Sequence, residues 1–205
     1  VAAGVMTADD AVRTVRERGI LMQEAVPAGV GGMSAVLGMT ADEINAVVDE
    51  IPNVQVANYN CPGQIVISGL KEAVETAAVK LKEAGARRVI PLNVSGPFHS
   101  YLLEEAGEKL GKFLENIPVS EPVIPYVANV TAAYVTKAED VKPLLTRQVS
   151  SSVRWQQSVE TMLADGVDRF IEIGPGKTLA GFIRKINREA TVINIEKFED
   201  LEKLN

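Results

Sequence analysis

Between Met33 and Val94 the chain sets out apolar runs and helical patterns in the order strand, helix, strand, strand, helix, strand, which leaves few ways to fold. Met33–Leu37 reads as the first strand. Thr40-Ala41-Asp42-Glu43 then opens a helix with a capping box, in which the threonine and glutamate satisfy N–H groups of the first turn. Val54–Ala57 and Gln64–Ser68 read as two strands, a helix over Leu70–Ala84 is stopped by Gly85, and Arg88–Val94 gives a fourth, largely buried strand. This βαββαβ order is the ferredoxin-like unit. RNA-binding modules share the order, but they stack bases on strand aromatics that are missing from these runs.

The flanking segments follow another pattern. Thr7-Ala8-Asp9-Asp10 caps a first helix with acidic residues in its first turn, and Pro27 bounds its end. Beyond residue 99 a helix is expected over Ser100–Glu115, a strand over Val123–Ala128, and helices over Ala138–Gln148 and Val153–Ala164. Phe170–Ile173 reads as a short buried strand running into Gly174-Pro175-Gly176, with a helix over Thr178–Ile186, and Val192–Ile195 closes the sheet. The expectation is an α/β protein in which residues 1–29 and 95–205 make a large layered domain. The ferredoxin-like unit of residues 30–94 is inserted into it, with a crevice between them.

Composition narrows the class of function. With 205 residues, 46% of them hydrophobic, the chain can bury a real core. A net charge of −6 argues against general affinity for nucleic acid or anionic membrane, which requires clustered cations. The single cysteine, Cys61, cannot form an intrachain disulfide, which suits a reducing compartment. It has no neighbouring histidine to activate it and reads as a loop or core thiol. No apolar stretch approaches membrane-spanning length and no signal peptide opens the chain, so a cytoplasmic location is expected. Val1-Ala2-Ala3-Gly4-Val5 reads like the end of an element already under way, so residues before it are expected.

Two side chains stand out chemically. The only histidine, His99, lies in Val94-Ser95-Gly96-Pro97-Phe98-His99-Ser100, where an apolar run turns into a helical pattern. Open α/β sheets bind ligands at the carboxyl ends of such runs, and a histidine delivered there can act as a general base. The alternative is a packing or capping histidine. On the first helix, Ala11, Val15 and Met22 follow helical spacing, and Arg18 completes their stripe, whereas Arg13, Arg16 and Glu17 fall on the solvated side. An arginine facing a core needs an anion or several acceptors for its five donors. A salt bridge, or a side chain reaching to the rim, would satisfy it, and so would a substrate carboxylate held by both arms of the guanidinium. Gly174-Pro175-Gly176-Lys177-Thr178 lacks the spacing of a phosphate loop and reads as a strand-to-helix turn.

Several segments, taken in order along essentially the whole chain, resemble the malonyl-CoA:acyl carrier protein transacylases of fatty acid synthesis. They are Ala11–Pro27 with Arg18-Gly19 and Met22-Gln23-Glu24-Ala25-Val26-Pro27, then Asn58-Tyr59-Asn60-Cys61-Pro62-Gly63-Gln64 through Gly69. Gly96-Pro97-Phe98-His99-Ser100, Arg147-Gln148-Val149, Val153-Arg154-Trp155 and Glu172-Ile173-Gly174-Pro175-Gly176-Lys177 complete the series. The resemblance implies an α/β-hydrolase-like large domain carrying a ferredoxin-like small one. It also implies ping-pong transfer of a malonyl group from coenzyme A, through an acyl-serine, to the phosphopantetheine thiol of an acyl carrier protein. In that scheme His99 is the base, the Gln148 backbone carbonyl orients it, and Arg18 binds the malonyl carboxylate. Phe98 and Asn60 line the substrate site, and bulky Phe98 leaves little room for an α-methyl branch. Carrier proteins are acidic as a class, so the basic pairs Arg87-Arg88 and Arg184-Lys185 are candidate docking residues, although most such clusters are simply solvated. No permanently bound cofactor and no metal is implied, and a complete protein is expected to be a monomer.

One departure from the family is plain. No Gly-x-Ser-x-Gly elbow occurs in these residues, and the resemblance puts it just upstream of Val1, with an oxyanion-hole glutamine loop further upstream. The chain is therefore expected to correspond to the C-terminal two-thirds of a transacylase and not to turn over alone. A carrier-protein docking module without catalysis, a related acyltransferase for another acyl group, and a hydrolase are the competing readings.

Overall fold

A computed structural model describes residues 1–204. Its largest sheet contains β1 (Gly31–Leu37), β2 (Val54–Cys61), β3 (Gln64–Leu70) and β4 (Arg88–Pro91), all antiparallel in the order β2-β3-β1-β4. That is the arrangement a βαββαβ order produces when both crossovers are right-handed. The capping box of α2 (Ala41–Val48) is complete, since Thr40 accepts from the Glu43 amide and Glu43 accepts from the Thr40 amide. α3 (Lys71–Glu83) runs parallel in role to α2. Both cover one sheet face, where Val36, Val56, Ile65, Ile67 and Val89 pack against Ile44, Val48, Val74, Ala77 and Leu81. Strand alternation turns Met33, Ala35, Ala57 and Val66 to the other face, onto which Phe98 packs.

A second core lies outside that sheet. α1 (Ala8–Ala25) and α4 (Glu104–Leu114) meet through Met22, Val26, Leu103, Ala106, Leu110 and Leu114. Val149, just past α5 (Ala138–Gln148), joins them. The hairpin of β5 (Tyr126–Ala128) and β6 (Ala133–Val135) closes a smaller cluster of Val5, Ala128, Val135 and Val141. After α6 (Trp155–Ala164), β7 (Arg169–Ile173) and β8 (Thr191–Ile195) pair in parallel across α7 (Thr178–Ile186). Among the described residues neither strand has a second partner. No helix among the described residues is long and apolar enough to cross a membrane.

Several expectations need correcting. Arg88–Val94 is not a largely buried strand: β4 ends at Pro91 and buries only Val89, because it is the edge strand of the sheet. Periodicity cannot distinguish an edge strand from an interior one. The strand expected over Val123–Ala128 starts only at Tyr126, after Pro125, and Val123 and Ile124 are exposed. β7 is likewise not buried, with Ile171 46% and Ile173 82% exposed, since only one face is covered. One member of the α1 stripe differs, while Ala11, Arg18 and Met22 stay on the inward side. Val15 is 68% exposed, and the inward line runs through Thr14, half-buried Arg18 and Met22. Glu17, placed on the solvated side, is half-buried. The helix expected over Ser100–Glu115 begins as a 3-10 turn over Tyr101–Leu103 before α4.

Candidate active site

The loop that carries His99 is fixed to the sheet at a point where only glycine fits. Pro97 is fully buried against β1, and a Cβ on Gly31 would lie 2.3 Å from Pro97 Cγ. The Ser100 hydroxyl, itself buried, donates to the Pro97 carbonyl at 2.7 Å and closes the turn. Between them His99 has φ +56°, left-handed backbone that costs a non-glycine residue roughly 1–3 kcal/mol and persists only where the surroundings hold it. Here the Gln55 side chain on β2 donates to the His99 carbonyl at 3.1 Å and to the Ser150 carbonyl at 3.3 Å, and it accepts from the Tyr101 amide at 3.0 Å.

The imidazole reaches the end of α5. His99 Nδ1 lies 3.0 Å from the Gln148 carbonyl oxygen, an atom that only accepts, so Nδ1 carries the proton and Nε2 is bare in the neutral ring. Carbonyls of a last helical turn lack intrahelical donors and lie at the negative end of the dipole, which makes this one a good anchor. The Gln148 side chain turns back instead and donates to the Ser151 carbonyl at 3.1 Å. Burial lowers the His99 pKa below that of a free histidine, and the Arg18 charge adds to the effect, while the Gln148 and Ser151 backbone groups oppose it. The net effect favours the neutral ring.

Arg18 and His99 open onto one cleft of about 520 Å³ between α1 and the uncovered sheet face. Met22, Met33, Val66 and Phe98 form its apolar wall, with Asn58 and Gln23 as polar contributors. Burial lowers the Arg18 pKa. The ion pairs among the described residues are Lys109–Glu105, Lys137–Glu139 and Lys203–Asp200, so no carboxylate is paired with its guanidinium. Apolar walls, an unpaired planar cation and a neutral imidazole together suit an acyl group that ends in a carboxylate.

Asn60 is not on the cleft wall, and Asn58 is. The ladder between β2 and β3 slips between Val56 and Asn58 and again between Tyr59 and Cys61, which breaks the simple alternation that would carry both asparagines to one face. Cys61 is buried, and its thiol pKa is raised by burial against a weaker pull from Lys185, so it is an inert packing group. The Gly174-Pro175-Gly176 turn is structural. Glu172 at the end of β7 accepts from the Leu179 and Ala180 amides at 3.0 and 2.9 Å, which occupies the α7 N-terminal donors that a phosphate would need.

The basic pairs come to one end of the sheet. Arg88 lies opposite Leu37, and Leu37 lies opposite Gln64, whose side chain accepts from Lys185 Nζ at 3.5 Å. Arg87, Arg88 and Lys185 are exposed there, whereas exposed Arg184 turns to β8, where it donates to the Val192 carbonyl at 3.5 Å. Gln55 and Gly31 had no sequence signal, since their importance lies in contacts to residues far along the chain.

The acyl transferase domain family matches residues 1–199. A malonyl CoA-acyl carrier protein transacylase of Bacillus subtilis is 48% identical over 206 residues, covering 98% of this chain and 65% of that protein. One from Staphylococcus aureus is 42% identical, covering 100% of this chain and 68% of the relative. The chain thus spans about two-thirds of the length of these relatives. Among solved structures, an acyl carrier protein S-malonyltransferase from Vibrio cholerae superposes with a TM-score of 0.96 at 40% identity, over 99% of this chain and 67% of that one. A malonyl-transacylase in complex with its type II PKS acyl-carrier protein gives 0.95 at 39% identity, over 98% and 66%.

Proposed function

Because the chain belongs to the acyl transferase domain family, we propose that it supplies the general base and the carboxylate clamp of a malonyl-CoA:acyl carrier protein transacylase. The observation that carries this reading is the cleft shared by His99, oriented through Nδ1 on Gln148, and by Arg18, which has no internal carboxylate partner among the described residues. A serine outside residues 1–205 attacks the malonyl thioester carbon while Nε2 of His99 takes its proton. Coenzyme A leaves as the thiol, protonated from the imidazolium. The phosphopantetheine thiol then gives its proton to Nε2 and attacks the acyl ester, and the serine recovers the proton as it departs. Coenzyme A and the carrier group are substrates of this scheme, which uses no resident cofactor.

Arg18 grips the malonyl carboxylate through paired charge-assisted bonds, and Phe98 narrows the wall where an α-substituent would lie. Arg87, Arg88 and Lys185 at one end of the sheet, with Arg184 beside them on α7, offer an acidic carrier protein a cationic landing place. We place the domain division at residues 30 and 94, since one apolar core lies wholly inside those limits and the α1–α4–α5 core wholly outside. The test is a fusion of this chain behind the N-terminal third of the Bacillus subtilis relative, assayed with labelled malonyl-CoA and carrier protein. His99→Ala should reduce transfer by about 10²–10⁴-fold. A folded, acylated fusion that transfers equally well with His99→Ala overturns the assignment.

A further inference from the structure

We infer that Gln55 is the positioning residue of the imidazole, one primary amide that holds together the two backbone segments whose spacing fixes the ring. Its bearing on catalysis rests on the base role proposed for His99. One segment is 99–101, which carries the ring, and the other is 148–150, which carries the carbonyl that the ring addresses. Both N–H groups of the amide are used, on His99 and Ser150, and its oxygen is used by Tyr101. Other bonds reach one side or the other: the Tyr101 hydroxyl donates to Asn53 Oδ1, just before β2, at 3.1 Å, and β2 itself is tied to residues 152–153, just past the second segment. Val153 N donates to the Ala57 carbonyl at 2.7 Å, Tyr59 N donates to the Val153 carbonyl at 2.9 Å, and the Ser152 hydroxyl donates to Val56. Among the described residues Gln55 is the side chain that bonds to both segments.

No other residue type does this from the same place. Glutamate has the length and the acceptor but no donor, and it would set a carboxylate against two carbonyls. Asparagine has the right groups one methylene short. The left-handed backbone at His99 supplies a reason for the clamp, since a strained residue relaxes when its surroundings release it. Once it relaxes, the ring no longer meets the Gln148 carbonyl, and nothing keeps the proton on Nδ1. Imidazole in water prefers the proton on Nε2, the nitrogen that must stay bare to act as a base.

The chain contains a single histidine, so one ring signal reports the result. Nitrogen-15 long-range correlation spectra of the ring read the tautomer directly in the unsubstituted protein, in Gln55→Leu and in Gln55→Glu. The leucine variant removes all three bonds at similar bulk, and the glutamate variant keeps only the acceptor. The unsubstituted ring should be mainly the Nδ1–H form. Both variants should shift towards Nε2–H, and the titration midpoint of Gln55→Leu should rise towards the ordinary histidine value of about 6.5. A folded variant with the original tautomer and midpoint overturns the proposal. If neither variant folds, hydrogen exchange in the unsubstituted protein decides, because a Tyr101 amide exchanging like an open loop overturns the clamp and one protected like the β1–β3 ladder upholds it. A tautomer shift combined with undiminished transfer by the His99→Ala fusion would leave the clamp standing and remove the base assignment.

Discussion

A buried neutral imidazole leaves a mark on stability as well as on chemistry. The unfolded chain takes up a proton at His99 near pH 6.5, whereas burial lowers the folded pKa, so between the two values the unfolded state binds more protons. The contribution is fully present above about pH 6.5 and is lost as pH falls through the window beneath it. His99→Asn is the matched variant, since asparagine tolerates left-handed backbone and does not titrate. Urea midpoints of the two proteins should diverge on acidification from pH 7.5 to 5, with the unsubstituted chain losing more, and a constant difference would contradict the lowered pKa. Selectivity belongs at the same scale. In the fusion enzyme, Arg18→Ala should lower the kcat/KM ratio of malonyl-CoA to acetyl-CoA about 10- to 100-fold, the worth of a charge-assisted bonded pair at 1.4 kcal/mol per decade. Arg18→Lys should recover only part of it, and an unchanged ratio would make the arginine structural. Both residues stand out in the sequence because their chemistry is out of keeping with their surroundings, and both reach one cleft in the structure. The exact helical stripe was not legible, since Thr14 and Val15 differ by one step of rotation and only tertiary packing selects between them.

At the level of elements, the contact between β1 and the loop that carries His99 sets the geometry. Gly31→Ala would place a methyl 2.3 Å from Pro97 Cγ, so strand or loop must move, at a cost of about 1–3 kcal/mol typical of overpacking. Gly181→Ala on α7 meets nothing within 4 Å and should gain roughly 0.5–1 kcal/mol from helix propensity. Thermal unfolding of the two variants reads both signs, and Gly31→Ala should also shift the His99 ring resonance. Helices were the readable part of this chain. α5 was expected over the residues it occupies, and the Thr40–Glu43 box marked α2, because caps and helical period are local signals. Strand burial was less readable. β4 and β7 have the composition of interior strands, but their exposure depends on which neighbours they acquire, and that is decided far away in sequence. The bulge between Tyr59 and Cys61 that separates Asn58 from Asn60 is likewise a property of the pairing with β3.

Taken whole, the molecule has unequal parts. The four-stranded sheet is backed by two helices and fully cored, while β7 and β8 form a two-stranded parallel sheet whose outer side chains face solvent. Parallel pairs are ordinarily buried on both faces, and a lone two-stranded sheet is marginal in water. Amides of β1 and β3 should therefore exchange with solvent close to the global unfolding rate and those of β7 and β8 by local opening, so uniform protection across all four would contradict this division. The same open strand bears on how long the chain lasts. An edge ending in Ile173, four-fifths exposed and without a second strand partner among the described residues, is the kind of surface that recruits other edges, chaperones and proteases. Whatever presents that edge uncovered is open to recruitment and cleavage at residues 171–173, far along the chain from His99.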